Sequence, residues 1–184
     1  DGTFSFRENI SFIKDKGFES TCGVLLDLDG DGDQDLMIGS GGNDVLVDQI
    51  NYIVRVYKND GSGIFTGDPY SIPPVIGNFS SVAAEDIDRD GKKEIFLGAR
   101  NVPGNYGLIP QSYLLKFKDG NWIDIAPASL GNLGMVTDAV WTDFNGDGKA
   151  DLIVTGEWMK IRFFRNDGAM LSEITEECGL NDSE

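Results

Sequence analysis

Histidine is missing altogether from this 184-residue chain. Triads built on an imidazole base and zinc sites built on imidazole ligands are therefore excluded. Positive charge is scarce: 15 Lys and Arg stand against 31 Asp and Glu, a formal charge of -16. Nucleic acid and anionic membrane surfaces need clustered Lys and Arg, so neither is an expected partner, whereas cations are. No apolar run approaches the roughly 18–20 residues of a membrane-spanning helix, and no signal-peptide pattern opens the chain, so direct membrane insertion is not expected. Cysteine is limited to Cys22 and Cys178, 156 residues apart and in no metal-binding spacing. Two readings of the pair stay open: separate small hydrophobes, or a disulfide if the compartment is oxidising.

What is present argues for a packed core. Hydrophobic residues make up 40% of the chain and aromatics 10%, too much for a disordered acidic tail. The negative charge is concentrated in three stretches of one pattern: DLDGDGDQD (27–35), DIDRDGKKE (86–94) and DFNGDGKAD (143–151). Their first residues are 59 and 57 residues apart, and Asp-Gly pairs at Asp60, Asp119 and Asp167 keep the same phase after alternating apolar runs. Asp-Gly between such runs signals a β-hairpin. Each repeat then reads as four short strands, the first as Gly23–Leu26, Leu36–Ile38, Tyr52–Tyr57 and a strand from Ile64. The runs beside the acidic loops are apolar on successive residues, as suits strands buried on both faces.

A long period carrying a four-stranded antiparallel unit predicts an all-β fold, a partial β-propeller of about three blades. The expected blades are 14–72, 73–130 and 131–184, with calcium loops 27–35, 86–94 and 143–151. The opening DGTF repeats the hairpin phase, so residues 1–13 read as the end of a preceding blade. A helical EF-hand is ruled against, because it needs Glu at the twelfth loop position and that position holds Ile38, Leu97 and Val154.

Oxygen ligands at fixed offsets in a glycine-containing turn suit a hard cation, which takes roughly 6–8 oxygens. The expected ligands are Asp27, Asp29, Asp31 and Asp35 with the Asp33 carbonyl, Asp86, Asp88, Asp90 and Glu94 with the Lys92 carbonyl, and Asp143, Asn145, Asp147 and Asp151 with the Lys149 carbonyl. Three Ca²⁺ sites are expected. Without a cation those carboxylates repel one another, and simple Asx-turns explain only one or two acids per loop. Ligand charge ranks the first loop strongest and the third weakest, with Arg89, Lys92 and Lys93 weakening the second.

The three D-x-D-x-D-G-x-x-D loops, followed by GSGG, LGAR and VTGE, resemble FG-GAP/VCBS repeats, the calcium-binding blades of integrin-α-type β-propellers. YGLIPQSYLL and the stretch around DFNGDGKAD are similar to bacterial surface proteins that carry these repeats alongside ASPIC/UnbV modules, though no such module is present. The resemblance implies a secreted or cell-surface protein, on the bacterial outer surface, in which calcium stabilises the blades and loops on the other face bind an extracellular protein or glycan. Glu94 and Asn145 depart from the pattern at single positions.

An enzyme is not expected. The best acid pair is Glu157 with Asp138, near Trp141 and Trp158, and Trp141 reads as core. The alternative function is an accessory propeller of an extracellular carbohydrate-active or other hydrolytic enzyme. Binding is expected instead at the long connections 39–52 and 98–112, which lie opposite the acidic loops and include Asn105 and Tyr106. Asn9 and Asn78 each begin a glycosylation sequon.

Overall fold

The computed structural model describes residues 8–42, 49–168 and 170–179. The strands are β1 (Ser20–Leu26), β2 (Asp35–Ser40), β3 (Arg55–Asn59), β4 (Phe65–Gly67), β5 (Asn78–Glu85), β6 (Glu94–Asn101), β7 (Tyr113–Lys118), β8 (Asn121–Asp124), β9 (Met135–Thr142), β10 (Asp151–Glu157), β11 (Arg162–Asn166) and β12 (Leu171–Glu173). They form three four-stranded antiparallel sheets in the orders β1-β2-β3-β4, β5-β6-β7-β8 and β9-β10-β11-β12. The fold is all-β, a partial β-propeller of three blades. Among the described residues two short α-helices join it, α1 (Ile10–Lys14) before the first sheet and α2 (Ala128–Gly131) before the third. Among the described residues no helix is long and apolar enough to cross a membrane.

The second strand of the middle sheet shows what an unbroken apolar run is for. In β6, Ile95, Leu97 and Ala99 pack with Met37, Val56 and Phe79 in a core between the first two sheets. Phe96, on the other face, packs with Leu130, Val136, Leu152 and Phe164 in a core between the second and third. Strand β6 is therefore buried on both faces. The first strands depart from that expectation. In β1 and β9 alternate side chains point away from the cores, leaving Leu25 54% and Val140 52% exposed.

The Asp-Gly pairs lie at the β3–β4, β7–β8 and β11–β12 turns. At the middle one Asp119 and Gly120 have φ of 51° and 82°, the left-handed pair a type I′ hairpin requires. Strand β3 begins later than the expected Tyr52–Tyr57. Residues Gln49–Tyr52 form a 3-10 turn, and Ile53 is taken up in a bridge to Ile76. Residues 1–7 of the expected preceding blade end lie outside the described residues. Its last part enters α1, whose start is capped by the Asn9 side chain accepting from the Ser11 N–H at 2.9 Å. Phe12 meets the Tyr57 ring edge-on with centroids 4.9 Å apart.

Candidate metal centre

Register places the three acidic loops identically on their sheets. The residue before each loop pairs with the ninth loop residue: Leu26 with Asp35, Glu85 with Glu94 and Thr142 with Asp151. That ninth acid is buried each time, at 0%, 1% and 0% exposure. Residues 1 to 8 of the loop then arch beyond the sheet end, held by the same hydrogen bonds. The sixth-position N–H of Gly32, Gly91 and Gly148 donates to the first-position carboxylate of Asp27, Asp86 and Asp143 at 3.0, 2.9 and 2.8 Å. The seventh-position N–H of Asp33, Lys92 and Lys149 donates to the fifth-position carboxylate of Asp31, Asp90 and Asp147, each at 2.9 Å. These donations draw the carboxylates inward. The lowered pKa values of Asp90 and Asp147 follow first from them.

The turn needs left-handed backbone twice. Sixth-position glycine was legible, but the fourth position is also at positive φ: Gly30 at 84°, Gly146 at 78°, and Arg89 at 63° where the other two loops hold glycine. The Arg89 side chain reaches across to the Gly148 carbonyl of the third loop.

The loops differ in how their carboxylates are satisfied. In the first, oxygens of Asp27, Asp29 and Asp35 lie within 4.8 Å of one another. Asp35 accepts from the Leu28 and Asn59 N–H groups at 3.1 and 2.9 Å. In the second, oxygens of Asp86, Asp88 and Asp90 are equally close. The Lys116 ammonium sits against Asp88, Glu94 and Asp90 at 2.6, 2.7 and 3.0 Å. Burial works against that charge, yet the three carboxylates outweigh it and push the lysine pKa up. Burial also pushes the Glu94 carboxyl up, offset in part by Lys116 and the Ile87 N–H. In the third loop the third position is the amide Asn145. The Asp151 Oδ1 accepts from the Asn166 N–H at 2.8 Å, while its Oδ2 is buried and has no hydrogen-bond partner among the described residues.

The residues fit a hard cation unequally. An anionic oxygen shut away from water without a donor is costly, and a bound cation removes that cost. Asp151 offers such an oxygen, and the first loop offers a tight oxygen cluster. The second already encloses a positive charge. Lys116 went unnoticed in the sequence because it is 22 residues beyond Glu94, on β7. Its position is nonetheless regular: β-pairing aligns Tyr57, Leu115 and Phe164 opposite Leu36, Ile95 and Leu152, so Lys58, Lys116 and Arg165 are equivalent.

The other expected groups fall at the opposite end of the sheets. Glu157 is engaged by the Arg100 guanidinium and the Tyr106 hydroxyl, whereas Asp138 accepts from its neighbouring Ala139 N–H at 2.8 Å. The carboxylates of that pair thus have separate partners. Tyr106 meets Trp158 edge-on with centroids 5.8 Å apart. Trp158 is 80% exposed, with φ at 54°, a backbone region a bulky residue rarely enters. Residues 43–48 of the expected loop 39–52 lie outside the described residues. Both cysteines are free thiols, Cys178 exposed and Cys22 half-buried with its pKa raised by burial.

Residues 27–97 match the family described as FG-GAP-like repeat. No curated protein matches the chain.

Proposed function

We propose that this chain, whose residues 27–97 form an FG-GAP-like repeat, is a calcium-stiffened propeller module of a secreted or cell-surface protein, adhesive rather than catalytic. Repeats of this kind typify extracellular and surface proteins. The observation that carries the calcium reading is the buried Oδ2 of Asp151, without a hydrogen-bond partner among the described residues, at the ninth position of a loop geometry used three times. Oxygen-only ligands from carboxylates, an amide and backbone carbonyls favour Ca²⁺ over softer metals. The ligand-binding end is assigned to the connections opposite the loops, where Tyr106, Trp158 and Arg100 offer aromatic and guanidinium groups to an extracellular protein or glycan.

A calcium titration followed by calorimetry, paired with melting in calcium and in chelator, tests the reading. Saturable binding with a calcium-dependent rise in melting temperature is expected. A complete absence of saturable sites at millimolar calcium overturns it.

A further inference from the structure

Three strand positions equivalent by register hold cations, and only one of the three points its charge into an acidic loop as an ion would. Lys58 touches the first loop from the rim: its ammonium is 3.2 Å from Asp29 and 3.5 Å from Asp68, and its side chain is 39% exposed. Arg165 turns away from the third loop to Asp167 at 2.9 Å. Lys116 is only 16% exposed and contacts three carboxylates of the second loop within 3.0 Å. The second loop is also the one with glutamate at the ninth position. The extra methylene carries the Glu94 Oε1 to Lys116 at 2.7 Å while Oε2 still accepts from the Ile87 N–H at 3.1 Å. Glu94 and Lys116 thus complement each other across β6 and β7.

We infer that the Lys116 ammonium is the resident cation of the second loop, so that calcium enters this loop only by displacing it. The inference rests on the calcium reading of the loops and narrows it. The first and third loops fill first. The second belongs to a higher calcium range or stays ion-independent, which moves it below the third in affinity. An ammonium with three donors satisfies three carboxylates. A divalent ion arriving there meets a like charge a few ångströms away and must either accept that repulsion or expel the side chain. Space for expulsion exists, because a cleft of about 1010 Å³ between the second and third sheets opens beside Lys116.

Lys116→Met keeps the apolar stem and removes the charge, and Lys116→Gln serves if the first variant does not fold. Calorimetric calcium titration of the whole chain is expected to give two sites at low calcium in the parent. Either variant should add a third site, or tighten a weak one on the order of 10-fold or more. Glu94→Gln placed on top should abolish the gain, locating it in this loop. In chelator the Lys116 variants should melt below the parent, since the loop carboxylates are left facing one another, while Lys58→Met should melt close to it.

A parent that fills three sites of similar affinity, with the titration unmoved by Lys116→Met, overturns the inference. So does a Lys116→Met chain that melts like the parent in chelator. If neither parent nor variant binds calcium, the calcium reading falls, and with it the claim of competition. The chelator melt then decides separately whether Lys116 is the loop's counter-ion.

Discussion

At the loop end of the three sheets, Asp35, Glu94 and Asp151 are buried carboxylates surrounded by further acids, and cations or backbone donors hold them in place. At the opposite end, apart from the half-exposed Arg100–Glu157 ion pair, the contacts are steric and neutral. Gly156 lies so close to β9 that a Cβ would come 2.3 Å from the Met135 carbonyl oxygen, Ser80 donates to the Val136 carbonyl at 2.5 Å, and the buried amides of Asn78 and Asn101 bond each other at 2.7 Å. One end draws its order from charge that solution conditions can alter. The other draws it chiefly from close packing, which they alter little.

The largest break in this contrast comes at the packed end. Gly156→Val forces the β9 backbone aside and is expected to cost about 3 kcal/mol or more. Urea unfolding in calcium and in chelator should show the same loss. A loss confined to one condition shows the two ends to be coupled.

Next in size is Asp151→Asn. With calcium at 100 times its dissociation constant for the third loop, removal of that site costs about 2.7 kcal/mol. In chelator the sign should reverse or vanish, since the variant replaces a buried anionic oxygen that lacks a donor among the described residues with a neutral group. Thermal melts in both conditions check this, and equal destabilisation in both means the carboxylate is structural alone.

A pH scan sharpens the contrast, because Tyr57 belongs to neither end. Its hydroxyl donates to Asp15 at 2.5 Å, and burial first, then that carboxylate, raise its pKa to about 12. The raised value means that the fold favours the neutral phenol. Its stabilisation is complete below about pH 10, the unfolded value, and is lost as pH rises towards 12, amounting to about 2–3 kcal/mol. Tyr57→Phe should flatten that part of the profile, measured in chelator to keep the loops out of it.

The smallest effect on stability is expected from Trp158→Ala, within about 0.5 kcal/mol for so exposed a side chain. Binding of the proposed extracellular protein or glycan should nevertheless fall. A variant that unfolds more easily yet binds as before places the recognition surface elsewhere.

The three-blade architecture was legible because its signals are local and repeated: an Asp-Gly turn, a nine-residue acidic loop and an unbroken apolar run such as IFLGA recur in one phase. The strand boundaries were less so. Tyr52 reads as strand by composition, but the bridge from Ile53 to Ile76 turns the chain before β3 begins. Within the loops, the oxygen-bearing positions could be read from spacing. What escaped was whatever another strand supplies. Lys116 reaches Glu94 only because β7 pairs with β6, and Glu157 finds Arg100 and Tyr106 rather than Asp138 because the second and third sheets lie side by side. The fourth-position turn was masked by Arg89, which occupies a backbone region where two sister loops use glycine.

Asn78 has a consequence for how this chain can be made. Its sequon, Asn78-Phe79-Ser80, is acceptable to a eukaryotic oligosaccharyltransferase, which acts on nascent chain before folding is complete. In the folded protein Asn78 is 5% exposed, and its side chain donates to the Gly42 carbonyl at 2.5 Å and to Asn101 at 2.7 Å, between the first and second sheets. A glycan attached there has nowhere to go. Molecules that receive the sugar in a glycosylating secretory host cannot close the seam between these blades and should be retained and degraded, while those that escape it fold. Secreted yield in such a host should therefore rise when glycosylation is inhibited, whereas yield from a bacterial host is indifferent to the sequon.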